Sequence, residues 1–194
     1  MRYHYEVMLL LAHTGITVGI IWLTQKSSIR FRAGNLPLGS GVMPILDYRL
    51  LLVGSMLPDI IDKPLGIWLL RETVSNGRVF GHTLLFAAVL VGVGLYLYKA
   101  RKKVGILCLA LGTLAHFALD QMWLNLHTLL WPLFGFSFER QIVEDWLSGI
   151  ISSLATEPKV YLPELFSGLV LVWFFWDIMR RGRLTYFLRS GRLN

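Results

Sequence analysis

The chain has 194 residues, of which 55% are hydrophobic and 16% charged, with a net charge of +7 and a mean hydropathy of +0.56. Soluble domains carry about a quarter charged residues, so the composition excludes an ordinary water-soluble domain and points to one integral membrane domain over residues 1–194. The positive charges stand in short clusters beside apolar stretches, the pattern that orients membrane proteins, and this argues against a nucleic-acid partner.

Segment one, residues 5–24, is apolar except for Glu6, His13 and small Thr and Gly positions, and its length suits one bilayer crossing. No small-residue cleavage site follows it, so it is expected to be a retained helix rather than a signal peptide. Residues 25–49 form a Gly- and Pro-containing loop with Lys26, Arg30, Arg32 and Arg49. Segment two, residues 50–61, is short for a span and ends in Leu57-Pro-Asp-Ile-Ile-Asp-Lys-Pro64. A polar connection, residues 63–78, leads to segments three (79–98) and four (104–124), which the basic turn Lys99-Ala-Arg-Lys-Lys103 makes an antiparallel hairpin. Residues 137–154 repeat apolar side chains at helical spacing, with Glu139, Arg140, Glu144, Asp145 and Ser148 opposite. That amphipathic helix either lies in the membrane interface or caps the bundle. Segment five, residues 161–179, is rich in Trp and Phe and precedes Arg180-Arg181-Gly-Arg183. The expected fold is therefore an all-α polytopic transmembrane bundle of about five spans with one interfacial helix.

The basic residues test that topology. With five crossings, four basic residues after segment one, four in the turn and five in the tail put thirteen on one side against six on the other. Without segment two the split is ten against nine. The positive-inside rule favours five spans, with the N-terminus outside and the C-terminus cytoplasmic. Asp59, Asp62 and His82 then lie at the outer side, and Asp120 near it with His116 one turn deeper. His13 is eight residues into segment one, about 12 Å at helical rise. All six fall in the outer half of the membrane.

An ionisable residue inside a membrane is costly and is a functional candidate by default. No Lys or Arg within the apolar segments reaches the acids, so a cation from elsewhere is required. His116 and Asp120 stand at i, i+4 and share a helix face; an imidazole and a carboxylate so placed ligate one metal or orient one another around it. Asp59 and Asp62 stand at i, i+3 and converge if the helix continues to Lys63; otherwise they are solvated acids of a turn closed by Pro64. His82 precedes Thr83 at the start of segment three, and His13, beside Thr14, Gly15 and Thr17, is a ligand or an interhelical hydrogen-bond partner. Together the set His13, Asp59, Asp62, His82, His116 and Asp120 suits one or two divalent transition ions, Zn, Mn or Fe. Such a site activates water and clamps a phosphoryl or carbonyl oxygen. Arg78 holds an anionic substrate group or snorkels to headgroups. His127, eleven residues past His116, shares its face if the helix runs on, as a proton shuttle or added ligand, or is a surface histidine. Lone Cys108 supports neither a disulfide nor a cysteine metal site, and no nucleophile elbow, phosphate-binding Gly loop or HExxH is present.

His13, Leu57-Pro-Asp-Ile-Ile-Asp62, Arg78-Val-Phe-Gly-His-Thr83, His116-Phe-Ala-Leu-Asp120 and Leu130-Trp-Pro132, in this order, resemble the YdjM-like family of inner-membrane, metal-dependent hydrolases. The resemblance implies a helical inner-membrane protein in which these His and Asp residues bind metal. Two departures stand out: Gly77 occupies a position where many members carry His, and the second acid of the Pro-Asp cluster follows the first by three residues rather than two. The expected function is a metal-dependent hydrolase in which Asp59, His82, His116 and Asp120 ligate and His13 and Asp62 complete the shell. Asp59, His116 and Asp120 would carry catalysis on a lipid-like or small-molecule ester, with a phosphoester of a membrane lipid favoured. The rival is a metal carrier or a metal-stabilised scaffold without turnover. The scarcity of ionisable residues in the inner half, beyond Asp47, Arg49 and Asp177 near segment ends, weighs against transport.

Overall fold

A computed structural model describes residues 10–32, 46–140 and 146–193 of the chain. Among them all regular structure is helical, with no strand. Helix α1, Leu10–Arg32, continues past the expected end of segment one, because no Gly or Pro stands between residues 24 and 32. The expected loop is to that extent helix, and its remainder up to residue 45 lies outside the described residues.

Segment two is a broken helix. It comprises α2, Tyr48–Gly54, and α3, Leu57–Lys63, followed by a π-helical turn over Pro64–Leu69. Asp47 caps α2 by accepting from the Arg49 and Leu50 backbone N–H groups. Pro58 near the start of α3 has no N–H to return to the Gly54 carbonyl, which accounts for the kink at Ser55–Met56. Helical structure therefore extends into the stretch expected to be a polar connection.

Helix α4, Leu84–Arg101, and helix α5, Gly105–Leu119, form the expected hairpin; Lys102, in a left-handed conformation, caps α4 at its end. A short 3₁₀ turn, Met122–Leu124, and α6, Leu126–Leu129, follow. The amphipathic helix starts later than its periodicity suggests. Residues 137–140 are not helical, residues 141–145 with Glu144 and Asp145 lie outside the described part, and α7 covers Trp146–Thr156. Helix α8, Pro158–Arg180, is segment five, and a last short helix, α9, Leu184–Ser190, folds back within the basic tail.

Close backbone approaches hold the bundle together. A Cβ at Gly112 would lie 2.5 Å from the Leu51 carbonyl oxygen and 2.6 Å from the Ser55 nitrogen, so α5 packs directly on α2. A Cβ at Gly15 would lie 2.5–2.8 Å from Ser167, which places α1 against α8 in the same manner. An apolar core of Val18, Tyr48, Leu51, Phe174, Ile178 and Phe187 ties α1, α2, α8 and α9 together. There the Tyr48 N–H donates to the Gly191 carbonyl at 2.8 Å.

Among the described residues two helices, α4 and α8, are long and apolar enough to cross a membrane; the apolar stretches Leu11–Leu23 and Gly105–Leu119 are shorter. Only 11% of α4 and 22% of the α8 window are buried, and Leu165, Phe166, Leu169, Val172 and Trp173 point outward from α8. The core helix of a soluble protein would be mostly buried, whereas this outward apolar surface suits lipid.

Gly112→Ala is expected to destabilise the fold by about 1–3 kcal/mol, because a methyl group cannot share the space of the α2 backbone. Thermal unfolding in detergent should show a lowered midpoint, while Leu111→Ala at the exposed neighbouring position should leave it unchanged.

Candidate metal centre

The centre begins at Asp62, on the last turn of α3. Its carboxylate is fully buried and accepts four hydrogen bonds: from the backbone N–H groups of Val79 (2.6 Å), Gly81 (2.7 Å) and His82 (3.1 Å), and from His82 Nδ1 (2.7 Å). The chain wraps the acid in a nest of N–H groups. Gly81 permits this, since a Cβ there would lie 3.0 Å from Pro58 and 3.1 Å from Asp62 Oδ1. Residues 79–83 are consequently a loop, and the helix expected from residue 79 starts at Leu84, where Thr83 Oγ1 accepts from the Phe86 N–H. His82 sits in this loop, just ahead of α4.

His116 comes from α5. Its Nδ1 donates to the Ser55 carbonyl at 2.7 Å, and Thr113 Oγ1 donates to the Gly54 carbonyl at 3.2 Å, so side chains of α5 satisfy the carbonyls of the kink. A carbonyl only accepts, so Nδ1 of His116 carries hydrogen. Asp62, ringed by N–H donors, fixes the same tautomer in His82. Each ring is left with its Nε2, and these two atoms face each other at 3.1 Å. Asp59 Oδ1 lies 3.7 Å from His82 Nε2 and 4.0 Å from His116 Nε2. Asp120 Oδ2 lies 3.7 and 3.8 Å from the same two atoms. Donors around a tetrahedral ion at about 2.0–2.2 Å are separated by about 3.3–3.6 Å; the two Nε2 atoms stand closer than this and the carboxylate oxygens farther from them, so the set comes near the spacing of a divalent-ion site. Two ring nitrogens this close need a proton or a metal cation between them.

Fixed cations hold the outer oxygen of Asp59 and the histidine-facing oxygen of Asp120. Lys63 Nζ meets Asp59 Oδ2 at 2.6 Å, and Arg78 Nη2 meets Asp120 Oδ2 at 2.8 Å. The expectation that no Lys or Arg reaches the acids is thus corrected: both cations stand at segment ends and reach inward. His13 Nε2 contacts Asp120 Oδ1 at 2.9 Å, and its ring stacks on His116 at 4.0 Å. His82, His116 and Asp62 are fully buried, whereas the Lys63 and Arg78 side chains are 24% and 25% exposed, so the centre opens on its cationic side.

Among the described residues two groups have ligand atoms within 4.8 Å of one another: His13, His116 and Asp120, and Asp59, His82 and His116. Asp62 belongs to neither; its oxygens are engaged behind His82, where it orients the ring as outer partners of metal-ligating histidines do. His127 is not brought to the centre. Helix α5 ends at Leu119 and Gln121 takes a left-handed turn, so helical spacing from His116 does not extend to His127, whose ring stacks on Phe134. Sequence reasoning missed Glu164, buried on α8, which accepts from the N–H groups of Leu11 (3.0 Å) and Ala12 (3.1 Å). An acid inside apolar segment five, away from the basic tail that Asp177 adjoins, was its signal.

Asp62→Ala should strand three buried backbone N–H donors and the His82 Nδ1–H, and destabilise the protein by about 3–5 kcal/mol. Hydrogen exchange at the amides of Val79, Gly81 and His82 should accelerate, whereas Ile60→Ala at an exposed site on the same helix should leave those amides protected.

Residues 8–184 match the family described as YdjM inner membrane protein. No curated protein and no solved structure matches the chain. The matched span contains every residue of the buried His and Asp cluster, from His13 on α1 to Asp120 at the end of α5. The chain belongs to the YdjM inner membrane protein family.

Proposed function

We propose that the protein is a membrane-embedded, metal-dependent hydrolase whose ion is held by His82, His116, Asp59 and Asp120. The observation that carries this reading is the pair of Nε2 atoms 3.1 Å apart, each with its Nδ1 committed to an acceptor. Imidazole and carboxylate donors together suit Zn, Mn or Fe. The two candidate groups share His116, which has one nitrogen to offer once Nδ1 is engaged by Ser55, and this favours a single ion.

A bound divalent ion would polarise an ester oxygen and make water a better nucleophile at neutral pH. The chain's own groups supply the rest. Arg78 and Lys63, at the exposed side, meet an anionic group as it enters. Lys63 holds Asp59, and His13 and Arg78 hold Asp120, so the carboxylates are oriented before any ligand arrives. A phosphoester of a membrane lipid fits the cationic opening and the membrane setting.

The basic-residue distribution supports five crossings with the N-terminus outside and the centre in the outer half of the membrane. Residues 48–69 cover about 30 Å at helical rise, enough for segment two to cross as one broken helix. The second reading is a metal-stabilised scaffold, favoured by the complete burial of His82 and His116, since structural sites are closed.

Metal analysis of purified protein is expected to find about one transition ion per chain in the wild type and at least a tenfold loss in His116→Ala and Asp59→Ala. Absence of transition metal from all three would sink the proposal. A metal-loaded protein that turns over no lipid phosphate or other ester establishes the scaffold instead. For the topology, Gly77→Cys should react with an impermeant thiol reagent on intact cells; labelling from the cytoplasm alone overturns the assignment.

A further inference from the structure

Glu164 has no part in the ligand set, yet its placement bears on it. The residue faces α1 from α8 and is 7% exposed. A carboxylate buried between apolar helices is unfavourable unless donors hold it. Its donors are the backbone N–H groups of Leu11 and Ala12 on α1, one to each carboxylate oxygen, at 3.0 and 3.1 Å. The next residue along α1 is His13, whose Nε2 lies 2.9 Å from Asp120 Oδ1 and whose ring covers His116. One turn along α8, Ser167 touches Gly15 backbone to backbone, so the two helices meet without slack at the height of the histidine. Among the described residues the buried hydroxyls of Thr17 and Ser167 meet no hydrogen-bond partner, whereas the Glu164 carboxylate bonds across the interface.

We propose that Glu164 is a positioning residue of the metal centre, acting through His13: by gripping the α1 backbone at Leu11 and Ala12 it sets the depth and rotation at which His13 holds Asp120. The inference rests on the metal-site reading above. It makes α8, which supplies no ligand, part of the centre's support.

The test is a double-mutant cycle on the full chain in detergent, with zinc affinity read by competition with a chelating dye and thermal midpoint read in parallel. Glu164→Gln replaces one acceptor oxygen by a donor facing an N–H, and is expected to weaken zinc binding about tenfold, in the range for outer partners of metal ligands. His13→Ala should cause a comparable loss, and adding Glu164→Gln to it should change affinity by no more than about twofold, because both act through one contact. Ile178→Ala, in the distant apolar core, controls for general destabilisation and should lower the midpoint with zinc affinity unchanged. Additive losses from Glu164→Gln and His13→Ala overturn the inference, as does a Glu164→Gln protein that merely resembles Ile178→Ala. A wild type that binds no zinc or other transition metal instead removes the metal-site reading, and the inference with it.

Discussion

One buried carboxylate organises the centre. Asp62 offers two oxygens, and four donors from residues 79–82 converge on them. A carboxylate in an apolar surrounding is stable only when so satisfied, and the backbone that satisfies it can no longer be helix. The loop ahead of α4, the position of His82 and the choice of its tautomer all follow from that requirement. The Ser55 carbonyl does for His116 what Asp62 does for His82. Two unrelated acceptors, one side chain and one backbone, thus turn two imidazoles so that their remaining nitrogens face each other. The metal reading grows from this pairing more than from the mere presence of histidines.

Charge in the centre is nearly but not fully balanced. Asp59, Asp62 and Asp120 confront two fixed cations, Lys63 and Arg78, leaving one negative charge in excess. A divalent ion would invert the sign and leave the opening positive, where Lys63 and Arg78 already stand. That arrangement attracts an anionic group and disfavours a neutral one, since the field in a water-poor recess is weakly screened. It lends weight to a phosphoester over a neutral ester as the class of substrate.

Much of the centre was legible in the sequence because charge inside apolar stretches has few innocent explanations. Asp59, Asp62, His82, His116 and Asp120 stood out on that ground, and the i, i+4 spacing of His116 and Asp120 gave their shared side correctly. Other parts were not legible, each for a physical reason. Ser55 contributes a carbonyl, which leaves no trace in residue type, although Pro58 marked the kink that makes it accessible. Lys63 and Arg78 were assigned to a connection because a long basic side chain can root at a segment's end and act inside it. His127 seemed to share a face with His116 because periodicity carries no sign of where a helix ends, and Gln121 ends this one. Asp62 was grouped with the ligands because spacing tells which side a residue occupies, not whether its oxygens are already taken. Glu164 obeyed the same rule as the other acids and was overlooked for want of a motif around it. Of the five expected crossings, segments three and four were read as full length, but among the described residues it is α4 and α8 that are long and apolar enough to cross, α5 being cut short at Leu119.

The kink in segment two and the polar centre depend on each other. A break in a helix exposes carbonyls, and in a membrane protein these are tolerated only where they line a polar or protein-filled space. Thr113 and His116 meet the Gly54 and Ser55 carbonyls, so α5 supplies what the break requires. In return the break gives His116 the acceptor that fixes its tautomer and lets α3 leave the line of α2, carrying Asp59 to the histidines and Asp62 to the loop. Gly112 lets the two helices approach closely enough for both exchanges, since any larger residue would push α2 away from α5. An unbroken helix would satisfy its own carbonyls and cross the bilayer more easily, but it would leave His116 without an orienting partner. On this view the proline is retained for the geometry it imposes on two acids and one histidine, and the shortness of segment two as a conventional span is the visible consequence.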